Sequence, residues 1–448
     1  MKEEEDEIIL KITSRLLVTV LIFEFLLIML CFFSKNVLID IFKIDNELIN
    51  YIAQNEDNSK IDEEYAKILY PFDNDKKIEK QKENYIERYK SKIAKTKEML
   101  EKYSSDFLVG YIKILEIANQ YEKCINWNLI KKDSEELPIY INNGYWSMRV
   151  NERNIEVSAK HVLEFKKYLD EKNIDLLYVQ TPYKIEDEKG KGMLAIYKDY
   201  SKQNIDNFLN ILKANNIQFL DLRDEIKKEN LNTMNLFFKT DHHWLPQTGL
   251  WATRKIASKL NTLYGMNIDL NKYNMEQYNE TLYENVFLGS SGRKVTLAKA
   301  KPENISLIVP KFDTNFIVNI PSIHIENHIG NFEETLIDKE RLEKIDYYNN
   351  IPYAAYGYGD KSVIEIKNNL VKDDEKILIL KDSFADTVVP YLATGVENLY
   401  ELDLRHFEGS IKKYIESKEI TKVIIIYNPN SIGNPNDSHS IDSLPYFE

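Results

Sequence analysis

The sequence predicts an α/β fold built on a doubly wound parallel sheet, and three observations carry that expectation. Short apolar runs of strand length, bounded by turn residues, recur at Ile174–Val179, Ile217–Leu220, Lys376–Leu380, Leu399–Leu402 and Lys422–Tyr427. Helical patterns precede the first two of them, at Asn154–Asp170 and Ser201–Asn215. At 448 residues, 43% of them hydrophobic and 29% charged, the chain is large and apolar enough to bury both faces of such a sheet.

Ahead of that body the N-terminus sets the compartment. Leu16 to Phe33 is apolar apart from Thr19 and Glu24, and Lys11, Arg15 and Lys35 flank it. About 20 such residues span a bilayer as a helix. No small-x-small cleavage pattern follows, so the reading is an uncleaved signal anchor over 1–43, with the bulk of the chain outside the cytoplasm of a bacterial cell. Glu24 costs about 2.5 kcal/mol or more at mid-membrane unless it is neutral or paired. A protonated carboxyl or a polar contact with a partner membrane protein would meet that cost.

Residues 44–137 read as a helical spacer. From Lys77 to Cys124 there is no proline, and Tyr85, Tyr89, Ile93, Leu100, Tyr103, Phe107, Tyr111 and Ile114 recur mostly in steps of three and four. After Pro138 the pattern changes to a hairpin, Ile139–Ile141 and Tyr145–Met148 around Asn142-Asn143-Gly144, and the main domain (138–448) begins. Its five strands with intervening helices suggest a flavodoxin-like sheet. Between about 265 and 370 the pattern turns β-rich, with Ser306–Val309, Phe316–Val318 and Ser362–Ile366, and reads as an insertion or cap.

Composition excludes several functions. A net charge of −13 argues against a sequence-independent grip on nucleic acid, which needs clustered Lys and Arg. The two cysteines, Cys31 and Cys124, provide no disulfide framework. The 29 tyrosines accompany an abundance of Ile, Lys and Asn, so they are read as compositional bias rather than as a sugar-binding surface.

The chemistry concentrates in Thr240-Asp241-His242-His243-Trp244-Leu245-Pro246, where two of only seven histidines adjoin. Pro246 suits the first position of a helix, which puts the quartet in the loop before it. If that loop is extended, Asp241 and His243 share a face and His242 points the other way. A carboxylate beside one imidazole is what a general base needs, because it fixes the tautomer and stabilises the imidazolium. The nucleophile candidate is Ser383, at the strand-to-helix turn Lys381-Asp382-Ser383-Phe384. His324 and His328 lie in an alternating stretch that reads as a strand rather than a metal site.

Taken together these residues resemble the DHHW family, an SGNH hydrolase-like branch related to the alginate O-acetylation proteins. The resemblance runs from about Ile139 to Tyr427 and includes Thr181–Lys184, Asp221–Arg223, Asp241–Trp244, Phe287–Ser290, Lys381–Phe384 and Asp403–Arg405. It implies Ser383 as nucleophile, His243 as base and Asp241 as orienting acid, and gives His242 no assigned role. Lys381 departs from the pattern, since a glycine usually precedes Asp-Ser in SGNH-type enzymes. Gly289 is the candidate oxyanion donor, and Lys184, Arg293, Arg405 and His242 are further candidates for binding substrate.

The implied function is an O-acetyltransferase or esterase acting on a cell-envelope polysaccharide, without a cofactor, and with a polytopic membrane-bound O-acyltransferase as partner. Two other readings stand beside it. One is a metal-dependent hydrolase using Asp241, His242 and His243; the other is an inert glycan-binding scaffold.

Overall fold

The computed structural model describes residues 138–185 and 199–433. The anchor and spacer expected over 1–137 lie outside the described residues, among which no helix is long and apolar enough to cross a membrane.

A hairpin opens the body: β1 (Ile139–Asn142) pairs with β2 (Tyr145–Ser147) across Asn143 and Gly144, whose φ of 45° and 89° supply the left-handed backbone such a turn requires. Helix α1 (Glu156–Glu171) follows, burying Ala159, Val162, Phe165 and Leu169 at helical spacing. It feeds β3 (Asp175–Gln180), after which α2 (Ser201–Ala214) leads to β4 (Phe219–Asp221) and α3 (Leu222–Lys228). Pro246 starts α4 (Pro246–Tyr264), as expected, and Gly265 ends it in the left-handed region at φ 67°.

The β-rich stretch contains β5 (Tyr278–Phe287), α5 (Ser290–Lys299), β6 (Glu303–Pro310), β7 (Phe316–Ile320), β8 (Ile325–Gly330) and β9 (Val363–Asn368). The chain then runs through β10 (Lys376–Lys381), a 3-10 turn (Ser383–Thr387), α6 (Val389–Ala393), β11 (Asn398–Asp403), α7 (Ile411–Lys418) and β12 (Lys422–Tyr427).

Eight strands form one sheet in the order β4-β3-β12-β10-β11-β9-β7-β8. The first five are parallel and the last three antiparallel. Two expectations are corrected here. The parallel strands do not follow flavodoxin order, which would set the last strand at an edge. Instead β12 lies at the centre, because all six of its residues, Lys-Val-Ile-Ile-Ile-Tyr, are buried and only an interior position covers both faces.

The insertion, moreover, is not a separate cap. Its strands β9, β7 and β8 extend the main sheet as an antiparallel wing, and only β5 and β6 form a ribbon of their own. Half-burial suits that placement, since β9 alternates buried with more open positions where the central β12 is buried throughout.

Both faces of the sheet are covered. Leu177, Val179, Ile377, Ile379, Ile424 and Ile426 pack toward α4 and α6, with Trp244, Ile256, Leu260 and Leu392. Leu176, Tyr178, Leu378, Leu380, Val423 and Ile425 pack toward α1, α2 and α7, with Phe165, Phe208 and Ile415. The register pairs Gln180 with both Asp221 and Tyr427, and Lys381 with both Asp403 and Ile426, so the carboxyl ends of all five parallel strands share one edge. Ligands of open α/β sheets bind outside that edge.

The strand order has a stability consequence. Ile425→Ala, at a fully buried central position, should cost about 2–5 kcal/mol, whereas Ile329→Ala, on the outermost strand at 62% exposure, should stay within about 0.5 kcal/mol. Urea unfolding of both variants measures the difference, and equal losses would contradict the central placement of β12.

Candidate active site

The turn after β10 is fixed by Asp382. One carboxylate oxygen accepts the Phe384 amide at 2.9 Å; the other accepts the backbone amide of Asn428 at 2.6 Å and its side-chain amide at 2.7 Å. The end of β12 thereby holds the end of β10, and Ser383 is left 8% exposed at the head of the turn.

The histidine loop reaches Ser383 from the start of α4. Phe237 and Trp244 bridge across its base, and the Phe238 amide donates to the His243 carbonyl at 3.2 Å. The loop is therefore bent, not extended. Asp241 closes a local turn by accepting the His243 amide at 2.9 Å. That turn brings Oδ1 of Asp241 within 2.5 Å of His243 Nδ1, while His243 Nε2 meets Ser383 Oγ at 2.7 Å. The bend also corrects the expected orientation of His242. Its ring lies beside that of His243, centroids 3.8 Å apart, instead of on the opposite face.

Asp241 is suited to stay ionised. Burial raises its pKa, but the facing His243 and His242 rings and the hydrogen bonds from His243 outweigh that and hold the carboxyl well below its ordinary range. Its second oxygen accepts the Ser290 amide at 2.5 Å, at the start of α5, whose positive end adds to the effect. His242 places Nδ1 at 2.8 Å from Ser290 Oγ, with its side chain 24% exposed. Burial, then the neighbouring His243, pushes its pKa down to about 3, so it is neutral across the physiological range.

Several supporting residues carry no sequence signal. The Tyr353 ring stacks on His243 at 4.1 Å and 14°, and its hydroxyl lies 3.3 Å from Thr387 Oγ1. Glu303, on β6, accepts the amides of Lys239 and Thr240 and the Thr240 hydroxyl, each at 2.6 Å, and so grips the chain just before Asp241. Thr387, only four residues after Ser383, is the one a closer reading of the turn could have found. It accepts the Trp244 indole N–H at 2.9 Å.

The remaining candidates fall elsewhere. The Gly289 amide donates to Thr240 Oγ1 at 3.0 Å, so it is not a free oxyanion donor. A Cβ there would stand 2.2 Å from that of Asp241, which is why the position needs glycine. Lys184 is 2% exposed and donates to the carbonyls of Trp146, at 2.8 Å, and Asp241, so it braces the loop rather than facing substrate. Its pKa is lowered to about 8 by burial, against the pull of Asp241 and Glu303. Arg405 is committed to Asp403, with Nε–Oδ1 at 2.8 Å, and to Asp360. Arg293 is half-buried on α5, its amide donating to the Gly289 carbonyl at 2.8 Å. Of the two histidines expected in a strand, His328 sits in β8 opposite Val318, but His324 lies just before it, ending a 3-10 turn in the left-handed region at φ 57°.

Asp241, His242 and His243 each offer one ligand atom within 4.8 Å of the others, the donor set a metal would need. In the arrangement described, both ring nitrogens of His243 are engaged by Asp241 and Ser383, and Nδ1 of His242 by Ser290. Ligation would break the chain from carboxylate to hydroxyl.

Residues 139–310 match the family model described as SGNH hydrolase-like domain, acetyltransferase AlgX. No curated protein matches the chain. Among solved structures, Bacillus cereus PatB1 aligns with a TM-score of 0.55 at 22% identity, over 68% of this chain and 99% of that one. A DHHW family protein from Eubacterium siraeum aligns with a TM-score of 0.51 at 16% identity, over 69% and 97%. At these identities the structural likeness is one of fold. Residues 139–310 are thus similar to the SGNH hydrolase-like model, in line with the resemblance read from Asp241–Trp244 and Lys381–Phe384, and the chain shares its fold with PatB1 and the DHHW family protein.

Proposed function

We propose that the chain is a membrane-anchored, extracytoplasmic O-acyltransferase, with acetyl as the group carried, that modifies hydroxyls of a cell-envelope polysaccharide through Ser383, His243 and Asp241. The observation that carries this reading is the hydrogen-bonded chain Asp241–His243–Ser383, closed across 140 residues of sequence with His243 Nε2 at 2.7 Å from Ser383 Oγ.

Ser383 Oγ attacks the carbonyl carbon of the acyl donor and gives its proton to His243 Nε2, while Asp241 holds the Nδ1–H tautomer and faces the imidazolium. As the tetrahedral adduct collapses, the donor leaves with that proton and the acyl group stays on Ser383. A sugar hydroxyl then attacks the ester, delivering its proton to His243, which returns one to Ser383 Oγ when the acylated sugar departs. The oxyanion falls to the backbone amide of Ser383. Its neighbours are already engaged, the Phe384 amide by the Asp382 side chain and the Ala385 amide by the Asp382 carbonyl. The donor side is a polytopic membrane-bound O-acyltransferase, met through the segment Leu16–Phe33 with Glu24 at mid-membrane.

Turnover of an activated acetyl ester by the full chain tests the reading. Ser383→Ala and His243→Ala should each reduce kcat by about 10³-fold or more, with no response to chelator. Wild-type turnover in both variants would sink it. Turnover abolished by chelator and indifferent to Ser383 would select the metal hydrolase instead, and glycan binding without any turnover would select the scaffold.

The state of Asp241 gives a second expectation. Its folded pKa is depressed, so its contribution to stability is present above the unfolded value of about 3.9 and is lost as pH falls through the folded one. Asp241→Asn should therefore be less stable than wild type at pH 7, with the gap narrowing below about pH 4. Denaturant unfolding at stepped pH measures it; a gap independent of pH would show that Asp241 is not held as an anion.

The anchor is testable by extraction. The full chain should stay with membranes in alkaline carbonate, and a chain lacking 1–43 should be released; retention of the truncated chain would refute the anchor.

A further inference from the structure

Lys381 stands where SGNH-type enzymes usually carry glycine, and its side chain does not turn away from the site. It is fully buried, and its ammonium pairs with Asp386, which lies on the turn three residues beyond Ser383. Glu401 of β11 is 3.2 Å away and Asp360 3.7 Å. Asp360 in turn pairs with Arg405, which grips Asp403 at the end of β11. Two cations and four carboxylates thus meet around the turn, drawn from β10, the turn, β11, the loop just after β11 and the segment before β9.

Stability alone does not account for this cluster. Taking charges out of water is expensive, and apolar residues of similar volume commonly do as well or better than a buried ion pair. What the pair supplies that apolar packing does not is a directional tie. Lys381 precedes Ser383 by two residues and Asp386 follows it by three, so their contact closes the turn on itself with the hydroxyl between them. Glu401 then fastens that closed turn to the neighbouring strand. The opposite side of the turn is held by Asp382 on Asn428.

We propose that Lys381 and Asp386 are positioning residues for Ser383, their ion pair clasping the turn so that Oγ stays in line with His243 Nε2. The proposal rests on the reading of Ser383 as nucleophile. The two partners are pulled in opposite ways: burial works against the Lys381 ammonium, but Asp386, Glu401, Asp360 and Asp403 outweigh burial and hold its pKa above the ordinary value, whereas burial pushes the Asp386 carboxyl well up against the pull of Lys381. Burial pushes Glu401 up to about 7, which relieves the surplus of negative charge near neutral pH.

The test uses the full chain with an activated acetyl ester and with phenylmethylsulfonyl fluoride, which labels an activated serine. Asp386→Asn leaves Lys381 paired with Glu401 and Asp360, so the chain should still melt well above the assay temperature. Its kcat and its rate of sulfonylation should nevertheless fall about 10- to 100-fold, since small misplacements of a reacting group cost that much, with KM for the ester unchanged. The triple variant Lys381→Met, Asp386→Leu and Glu401→Gln strands no charge among the three positions, since Asp360 keeps Arg405; it should regain melting temperature but not kcat.

Wild-type kcat and labelling rate in either folded variant would overturn the proposal and reduce the cluster to packing. A different failure is separately visible. If wild type takes no sulfonyl label, or Ser383→Ala takes it as fast, Ser383 is not the nucleophile and the reading on which the clasp depends falls with it.

Discussion

The site depends on pinning together two short segments that lie 140 residues apart, and the contact that does this is Trp244 on Thr387. The indole is fully buried, its ring 5.3 Å from that of Phe384, and its N–H donates to the Thr387 hydroxyl. Helix α4 can come this close to the turn only because Gly249 has no side chain: a Cβ there would lie 2.2 Å from Thr387 Oγ1. The tryptophan of the Asp-His-His-Trp run is thus a structural member of it. It sets the distance between loop and turn, and the histidine next to it inherits that distance.

Two groups of carboxylates flank the turn in opposite electrostatic states. Asp241 is surrounded by N–H donors and imidazoles and is held ionised. Asp386 and Glu401, on the far side, are pushed upward by burial and share Lys381. Environments that drive like groups apart are how one fold assigns them different tasks. Here the first group faces the imidazole, and the second is arranged around the backbone that carries the hydroxyl. Glu303 and Lys184 complete the first side by fixing the loop from below, one through amides and the other through carbonyls.

Much of this was legible in the sequence, and the limits are physical. Five buried strands, helices α1 and α2 and the start of α4 at Pro246 follow from hydrophobic period, proline and turn chemistry, all local. The grouping of Asp241, His243 and Ser383 followed from the types of residue and from the resemblance. Strand order did not, because period tells which face is buried and not which strand lies beside it; the central place of β12 and the antiparallel wing of β9, β7 and β8 are choices among non-local pairings. The loop's bend was misread as extension because Asp241 bonds its own backbone, a competition that spacing does not reveal. Gly289 was singled out for the wrong reason: its missing side chain admits Asp241, not substrate. Tyr353 is one of 29 tyrosines, and nothing but the fold distinguishes it.

These constraints bear on how an acyl group on Ser383 would be shared between a sugar and water. Ser383 and His243 are only 8% and 7% exposed, and Tyr353 covers one face of the His243 ring. The more open ring is that of His242, which is neutral, half-buried and anchored by Ser290. On the proposed reading an acceptor hydroxyl has to approach past it, and so does water. A polymer lying along the carboxyl edge of the sheet would occupy that approach and exclude solvent while presenting its own hydroxyl, so transfer would prevail over hydrolysis through occupancy of one entrance rather than through any change in the chemistry at Ser383.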